Sequence, residues 1–216
     1  EHQGGAVNKT PEQVVIIRTG VANIASMLAA FERLDVTPLL TEDREIIADA
    51  DHLVLPGVGA FGAGMKRLEE LNLVDILRER LISGERATFC VCLGLQLLCK
   101  GSEESPGVEG LGVIEDHARR FSDALRVPQL GWNQVVPADA DANTFLTEEG
   151  YAYYANSYRL ESIPEGWRGA RSTYGAPFVA AIERGNTLAC QFHPELSSAW
   201  GQALMRRWLV GNPARG

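Results

Sequence analysis

Cys92 stands between two runs of opposite preference. Residues 88–91 are short, apolar and β-prone, and residues 93–98 are an apolar run of good helix formers with Gly94 at its second position. A strand that turns sharply into a helix, with a nucleophile at the turn, holds that nucleophile clear of the strand ladder at the carboxyl edge of a sheet. The first N–H groups of such a helix favour a thiolate and can receive an oxyanion. The chemistry this points to is acyl transfer through a cysteine. On this stretch alone Cys92 reads equally well as one of several small buried apolar residues, the usual state of a free cysteine.

A cysteine nucleophile needs a base, and the base needs an orienting acceptor. The chain offers four histidines. His2 lies in a polar lead, His52 begins a strand-like run, and His117 reads as part of a charged turn beside Asp116. His193 follows the run 188–192 and opens the segment His193-Pro194-Glu195. The proline pushes His193 toward an extended backbone, and the turn brings Glu195 near the ring it would orient. Read by itself, the same segment also fits a solvated turn histidine beside an unrelated carboxylate.

The elements that must position these residues follow an alternating pattern. Residues 14–17 are a continuous β-branched run, as in a central parallel strand covered on both faces. Residues 23–34 form an amphipathic helix with Ile24, Met27, Leu28 and Phe31 on one face. Strands are expected at 36–40 and 53–55, the latter ending in Pro56-Gly57-Val58-Gly59, and helices at 62–70 and 74–82. This order predicts an α/β fold, a doubly wound, mostly parallel sheet with sites beyond the carboxyl ends of its strands. After a polar, glycine-rich stretch at 101–112, short β-prone pieces at 112–114, 151–159, 178–183 and 188–192 read as a few antiparallel strands. A last helix spans 199–209.

Composition bounds the rest. With 216 residues, the chain can build one well-buried core. The expected organisation is a disordered lead at 1–11, one domain at 12–211 and a tail at 212–216. The chain is 45% hydrophobic and 22% charged, without an apolar run long enough to span a bilayer. Its net charge of −8 argues against a nucleic-acid surface. The polar N-terminal stretch lacks the apolar core of a secretory signal, and three of the four cysteines fall within one strand-and-helix unit. Both features predict reduced thiols and a cytoplasmic location.

The Cys92 and His193-x-Glu195 pattern is accompanied, in order, by LPGVGAF at 55–61, CLGLQLL at 92–98, SEE at 102–104, PQLGWN at 128–133, SY at 157–158, YG at 174–175 and QFHPE at 191–195. Together these segments resemble the class I glutamine amidotransferases and, among them, the glutaminase subunits of imidazole glycerol phosphate synthase. The resemblance implies that Cys92 attacks the side-chain amide of glutamine, with His193 as base and Glu195 orienting it. It implies an oxyanion held by the N–H of Leu93 and one from the loop carrying Gly57, Val58 and Gly59. Gln96 and Glu104, with the backbone at Ser157 and Tyr158, would hold the substrate's α-amino and carboxylate groups. The implied partner is a (β/α)₈-barrel cyclase that receives the ammonia. It turns a phosphorylated ribulosyl-formimino compound into imidazole glycerol phosphate and an aminoimidazole carboxamide ribotide. Gln129, Trp132, Asn133 and Asn156 would lie toward that partner, although Trp132 also reads as a core aromatic. No metal or organic cofactor is implied.

Four positions depart from the pattern. Cys90 stands where glycine is usual, Asn156 and Gln129 stand where histidine is common, and Arg18 replaces an acidic residue. Three rival readings follow. One is a regulatory subunit with weak or absent glutaminase activity. Another is a structural zinc site built from Cys90, Cys92, Cys190 and His193. The third is a glutaminase of another pathway, such as pyridoxal phosphate synthesis.

Overall fold

A computed structural model describes residues 10–20, 24–138 and 144–211. Residues 1–9 of the expected lead, with His2, and the tail at 212–216 lie outside the described residues, as does Asn23. The alternating first half forms β1 (Gln13–Ile17), α1 (Ile24–Glu32), β2 (Thr37–Thr41), α2 (Arg44–Asp49), β3 (His52–Gly57), α3 (Phe61–Glu70), α4 (Val74–Ser83) and β4 (Ala87–Cys92). The second half comprises α5 (Leu93–Leu97), β5 (Cys99–Ser102), β6 (Ile114–Arg120), β7 (Gln129–Pro137), β8 (Gly150–Asn156), β9 (Tyr158–Arg159), β10 (Arg168–Tyr174), β11 (Ala176–Arg184), β12 (Thr187–Cys190) and α6 (Ser198–Val210).

Nine strands form one sheet in the order β2-β1-β3-β4-β12-β11-β10-β7-β8, and β5, β6 and β9 form a small second sheet. From β2 to β12 the neighbours are parallel, and from β12 to β8 they are antiparallel. The parallel half is buried on both sides. On one side Met27, Ala30 and Phe31 of α1 and Leu204, Met205 and Trp208 of α6 pack against Val14, Ile16, Phe89 and Val91. On the other, Ile47, Phe61, Met65, Leu68 and Leu77 pack against Val15, Ile17, Leu53 and Leu55. Adjacent residues of one strand thus feed opposite layers, which explains the unbroken apolar runs. The doubly wound α/β expectation holds.

Several details differ from the sequence-based expectation. Helix α2 is additional to the expected elements; it is short, and its local signal is Asp43, whose carboxylate accepts from the N–H groups of Glu45 and Ile46 at 2.9 and 3.1 Å. The piece at 188–192 supplies β12, which is antiparallel to β11 but parallel to β4, because it closes the gap between the two halves. Strands β7 and β10 are additional to the expected strands, since glycine, polar and charged residues interrupt their apolar pattern. His117 belongs to β6 rather than to a turn. The helix after Cys92 is only five residues long, because Cys99 already pairs with Ile114 in the second sheet.

Close approach at the elbow depends on two glycines. Gly57 is in register with Cys92, and a Cβ added there would meet Leu93 Cβ at 2.6 Å. A Cβ on Gly94 would lie 2.2 Å from the carbonyl oxygen of Leu55, a backbone atom that cannot swing aside. Gly94→Ala is therefore expected to destabilise the fold by roughly 3 kcal/mol, or about 6–12 °C in melting temperature. Thermal unfolding followed by circular dichroism checks this; an unchanged midpoint contradicts the packing argument.

Candidate active site

Cys92 ends β4 with φ 54° and ψ −107°, a backbone conformation that a side chain rarely adopts. Such a residue costs on the order of 1–3 kcal/mol and persists only where the surroundings impose it. Here the apolar strand behind it and the helix ahead, pressed onto β3, leave the chain no other path. The result turns the Cys92 side chain out of the strand alternation and into a cleft. That cleft measures about 280 Å³ and is lined by Val58, Gly59, Cys92, Leu93, Gln96, Glu104, Asn156, Ser157, Tyr158 and His193, among others.

His193 is reached from the antiparallel half of the sheet. Its backbone N–H donates to the carbonyl of Tyr153 at 2.9 Å, and its own carbonyl accepts from Ser197 Oγ at 2.6 Å. Ser197 Oγ accepts in turn from the N–H of Tyr153 at 3.0 Å. This closed loop fixes the histidine backbone. The Pro194–Leu196 turn then sets Glu195 Oε1 2.9 Å from His193 Nδ1, with both side chains nearly buried. With Nδ1 engaged by Glu195, Nε2 is the ring atom left for the Cys92 thiol, whose influence raises the histidine pKa. Burial pulls the His193 pKa down, but the hydrogen bonds to Cys92 and Glu195 outweigh it and push it up to about 10. Both neighbours thus favour the protonated ring.

The remaining expected residues fall into place unevenly. Leu93 opens α5, so its N–H starts the helix beside the thiol, and Val58 and Gly59 line the facing wall. Gly59 has φ 99°, which suits glycine, whereas Gly57 is required by its contact with the elbow. Gln96 is buried; its Nε2 donates to the carbonyl of Tyr158 and to Gln191 Oε1, each at 3.0 Å. Glu104 lines the cleft, yet its Oε2 accepts from the N–H of Phe61 at 2.7 Å and so also caps α3. Ser157 uses its carbonyl to pair with the N–H of Phe121.

Gln129 and Asn156, expected on a partner-facing surface, are instead buried and sit opposite each other in the β7–β8 register. Asn156 Nδ2 donates to the carbonyl of Tyr158 at 3.0 Å, so it supports the cleft wall from inside. Trp132 is no core aromatic. It is 56% exposed, packed edge-on against Tyr153, beside the exposed Leu130 and Tyr151. Asn133 is half-buried and donates to the carbonyl of Thr173. Arg18 lies 4.0 Å from Glu42 in an exposed pair, too weak to explain its presence.

Cys90 does not crowd the elbow. It is fully buried on the face of β4 opposite Cys92, and a Cβ on Gly94 would lie 3.5 Å from its own Cβ, an ordinary contact. Burial pushes its thiol up to about 12. This placement on the opposite face also breaks up the four-residue zinc arrangement: among the described residues no group of three or more His, Cys, Asp or Glu is placed to hold a metal ion.

Two residues of the site carried no assigned role in the sequence. Ser197 gave no signal beyond its place after the His-Pro-Glu segment. Gln191 did give one: it is a fully buried amide interrupting the apolar run 188–192, and its Nε2 donates to Cys92 Sγ at 3.7 Å.

Two measurements test this geometry. Because the Cys92 conformation suits glycine, Cys92→Gly is expected to be more stable than Cys92→Ala by about 1 kcal/mol or more, the reverse of the usual order in a regular element. Denaturant unfolding of the two variants decides it. His193 has a folded pKa above its unfolded value, so its stabilisation is complete below about pH 6.5 and is lost as pH rises through about 10. The stability difference between wild type and His193→Gln should accordingly shrink across that window; a difference that grows with pH contradicts the assignment.

Comparison with known proteins agrees with the fold and the site. A family model described as "Glutamine amidotransferase class-I" matches residues 17–211. The chain is similar to subunit HisH of imidazole glycerol phosphate synthase from Salmonella typhimurium (strain LT2), with 38% identity over 198 residues, 91% of this chain and 98% of the relative. It is similar to subunit HisH from Yersinia pseudotuberculosis, with 37% identity over 199 residues and the same coverage. Among solved structures, a glutamine amidotransferase superposes with a TM-score of 0.72 at 21% identity, covering 93% of this chain and all of that one. A PurLQS structure from Thermotoga maritima gives 0.67 at 14% identity, over 93% of this chain and 98% of that one. With a family model spanning almost the whole described domain and HisH relatives matched nearly end to end, this chain belongs to the class I glutamine amidotransferases, in the group of imidazole glycerol phosphate synthase HisH subunits.

Proposed function

We propose that the chain is the glutaminase of an imidazole glycerol phosphate synthase, acting in histidine biosynthesis, and that Cys92, His193 and Glu195 carry its chemistry. The observation that supports this most directly is the strained Cys92 at the elbow facing an imidazole that Glu195 orients. Glutamine enters the cleft with its side-chain amide toward Cys92. Both Nε2 hydrogens of Gln96 are committed, so Gln96 offers only an acceptor, Oε1, to the substrate. That acceptor and the Glu104 carboxylate suit an α-ammonium group, while the backbone around Ser157 and Tyr158 borders the substrate's carboxylate end.

Cys92 Sγ attacks the amide carbon, and the carbonyl oxygen becomes an oxyanion. The N–H of Leu93 and one from the loop of Gly57, Val58 and Gly59 receive it. His193 gives its proton to the nitrogen, the C–N bond breaks, and ammonia leaves behind a γ-glutamyl thioester. Water then adds with His193 as base, the C–S bond breaks, and glutamate is released. Glu195 keeps the proton on Nδ1 and stabilises the imidazolium.

Ammonia protonated in water is no nucleophile, so it needs a dry path to its acceptor. The partner in this reading is a cyclase subunit docked over Leu130, Trp132 and Tyr151, exposed apolar side chains on β7 and on β8, the strand that bridges to His193 through Tyr153. Gln129 and Asn156 then act from beneath that face and Asn133 at its edge. No helix among the described residues is long and apolar enough to cross a membrane.

Glutamate release from glutamine should appear with a cognate cyclase subunit and its nucleotide ligand and be lost in Cys92→Ala. His193→Gln should lower kcat by about 10²-fold or more, the scale of a lost acid–base catalyst. A folded wild-type chain that releases no glutamate under these conditions overturns the proposal.

A further inference from the structure

Gln191 lies between β12 and His193 with no solvent exposure, its backbone N–H donating to the carbonyl of Ala180 at 2.8 Å. A buried amide is costly unless both its ends find partners. The carbonyl of Tyr158 settles which end goes where. Being an acceptor only, it obliges Gln96 to present Nε2 to it. The second hydrogen on that nitrogen then requires an acceptor, which is Gln191 Oε1 at 3.0 Å. Gln191 is left with Nε2 pointing at Cys92 Sγ, 3.7 Å away. The polarity of the chain from Tyr158 through Gln96 and Gln191 to the sulfur is therefore fixed at its far end by a backbone group. Asn156 Nδ2, donating to the same carbonyl, secures that end.

We propose that Gln191 is a positioning residue for the nucleophile: its amide, oriented by Gln96, donates a hydrogen bond to Cys92 Sγ that holds the sulfur in the cleft and stabilises its thiolate. A hydrogen bond to a charged sulfur keeps the nucleophile ionised and aimed at the amide carbon, so it acts on the chemical step rather than on binding of the substrate. This rests on the glutaminase reading above, with Cys92 as nucleophile.

The discriminating variant is Gln191→Glu. It keeps the volume and the acceptor that Gln96 needs, but replaces the donor facing the sulfur by a second acceptor. If Gln191 only braced Gln96, this variant would retain its rate. The expected result is a fall in kcat of about tenfold or more, with KM for glutamine little changed. Alkylation of Cys92 by iodoacetamide, measured on the chain alone at one pH, should slow in parallel while the melting temperature holds. Wild-type kcat and alkylation rate in this variant, or a loss confined to KM, overturns the proposal. If Gln191→Glu does not fold, Gln191→Met is read by its alkylation rate alone, because it also strips Gln96 of its acceptor and so disturbs kcat on its own account; an unchanged alkylation rate in this variant overturns the proposal. Wild type and Cys92→Ala are run alongside. A wild-type chain without glutaminase activity in the presence of a cognate cyclase subunit and its nucleotide ligand sinks the functional reading itself, whereas an active wild type with an unaffected Gln191 variant sinks only this inference.

Discussion

The contact of Gly57 with the Leu93–Gly94 step holds the molecule's chemistry in place. Two stretches of backbone meet there at distances that leave no room for a Cβ on Gly57 or Gly94. With β3 and the helix start pressed together, the chain between β4 and α5 must turn within a single residue. Cys92 absorbs that turn at φ 54°. The strain is sustained because residues on both sides are buried: Phe89 and Val91 toward one layer, Leu55, Leu93 and Leu95 toward the other. A less deeply packed strand would relax, and the thiol would fall back into the alternation of the sheet.

The second requirement is that the base arrive from a different part of the chain with comparable precision. β12 is where the parallel and antiparallel halves of the sheet join, and the residues that follow it carry both Gln191 and His193. One edge of this segment is secured by the parallel pairing to β4, and the other by the loop of hydrogen bonds linking His193, Ser197 and Tyr153. The antiparallel half thus positions the histidine while the parallel half presents the cysteine. Burial makes the electrostatics of the pair strong: an imidazolium flanked by Glu195 and Cys92 is favoured despite desolvation.

The polar groups of the site form one connected set. Gln96, Gln191 and Asn156 converge on the carbonyl of Tyr158 or on each other, so the wall of the cleft and the sulfur share a hydrogen-bonded framework. The orientation of Gln96 and Gln191 is specified because reversing the Gln96 amide would set its oxygen against the Tyr158 carbonyl. The exposed Trp132, Leu130 and Tyr151 lie on the outer side of the strands that back this framework.

What the sequence determined by itself was whatever local pattern encodes. The apolar runs of β1, β3 and β4 and the periodicity of α1, α3 and α4 made the doubly wound core legible, because burial on two faces leaves an unbroken apolar record. Cys92 and the His193-Pro194-Glu195 segment were legible because an elbow and a proline-rigid turn are short-range devices. The tertiary structure decided what depends on distant neighbours. It made β12 parallel to β4, moved Gln129 and Asn156 from the expected surface into the interior, and put Trp132 outside. It also set Gln191 against a sulfur ninety-nine positions away in the chain. Polar side chains carry no period that says whether they face water or a partner, and only packing supplies the second group of each hydrogen bond.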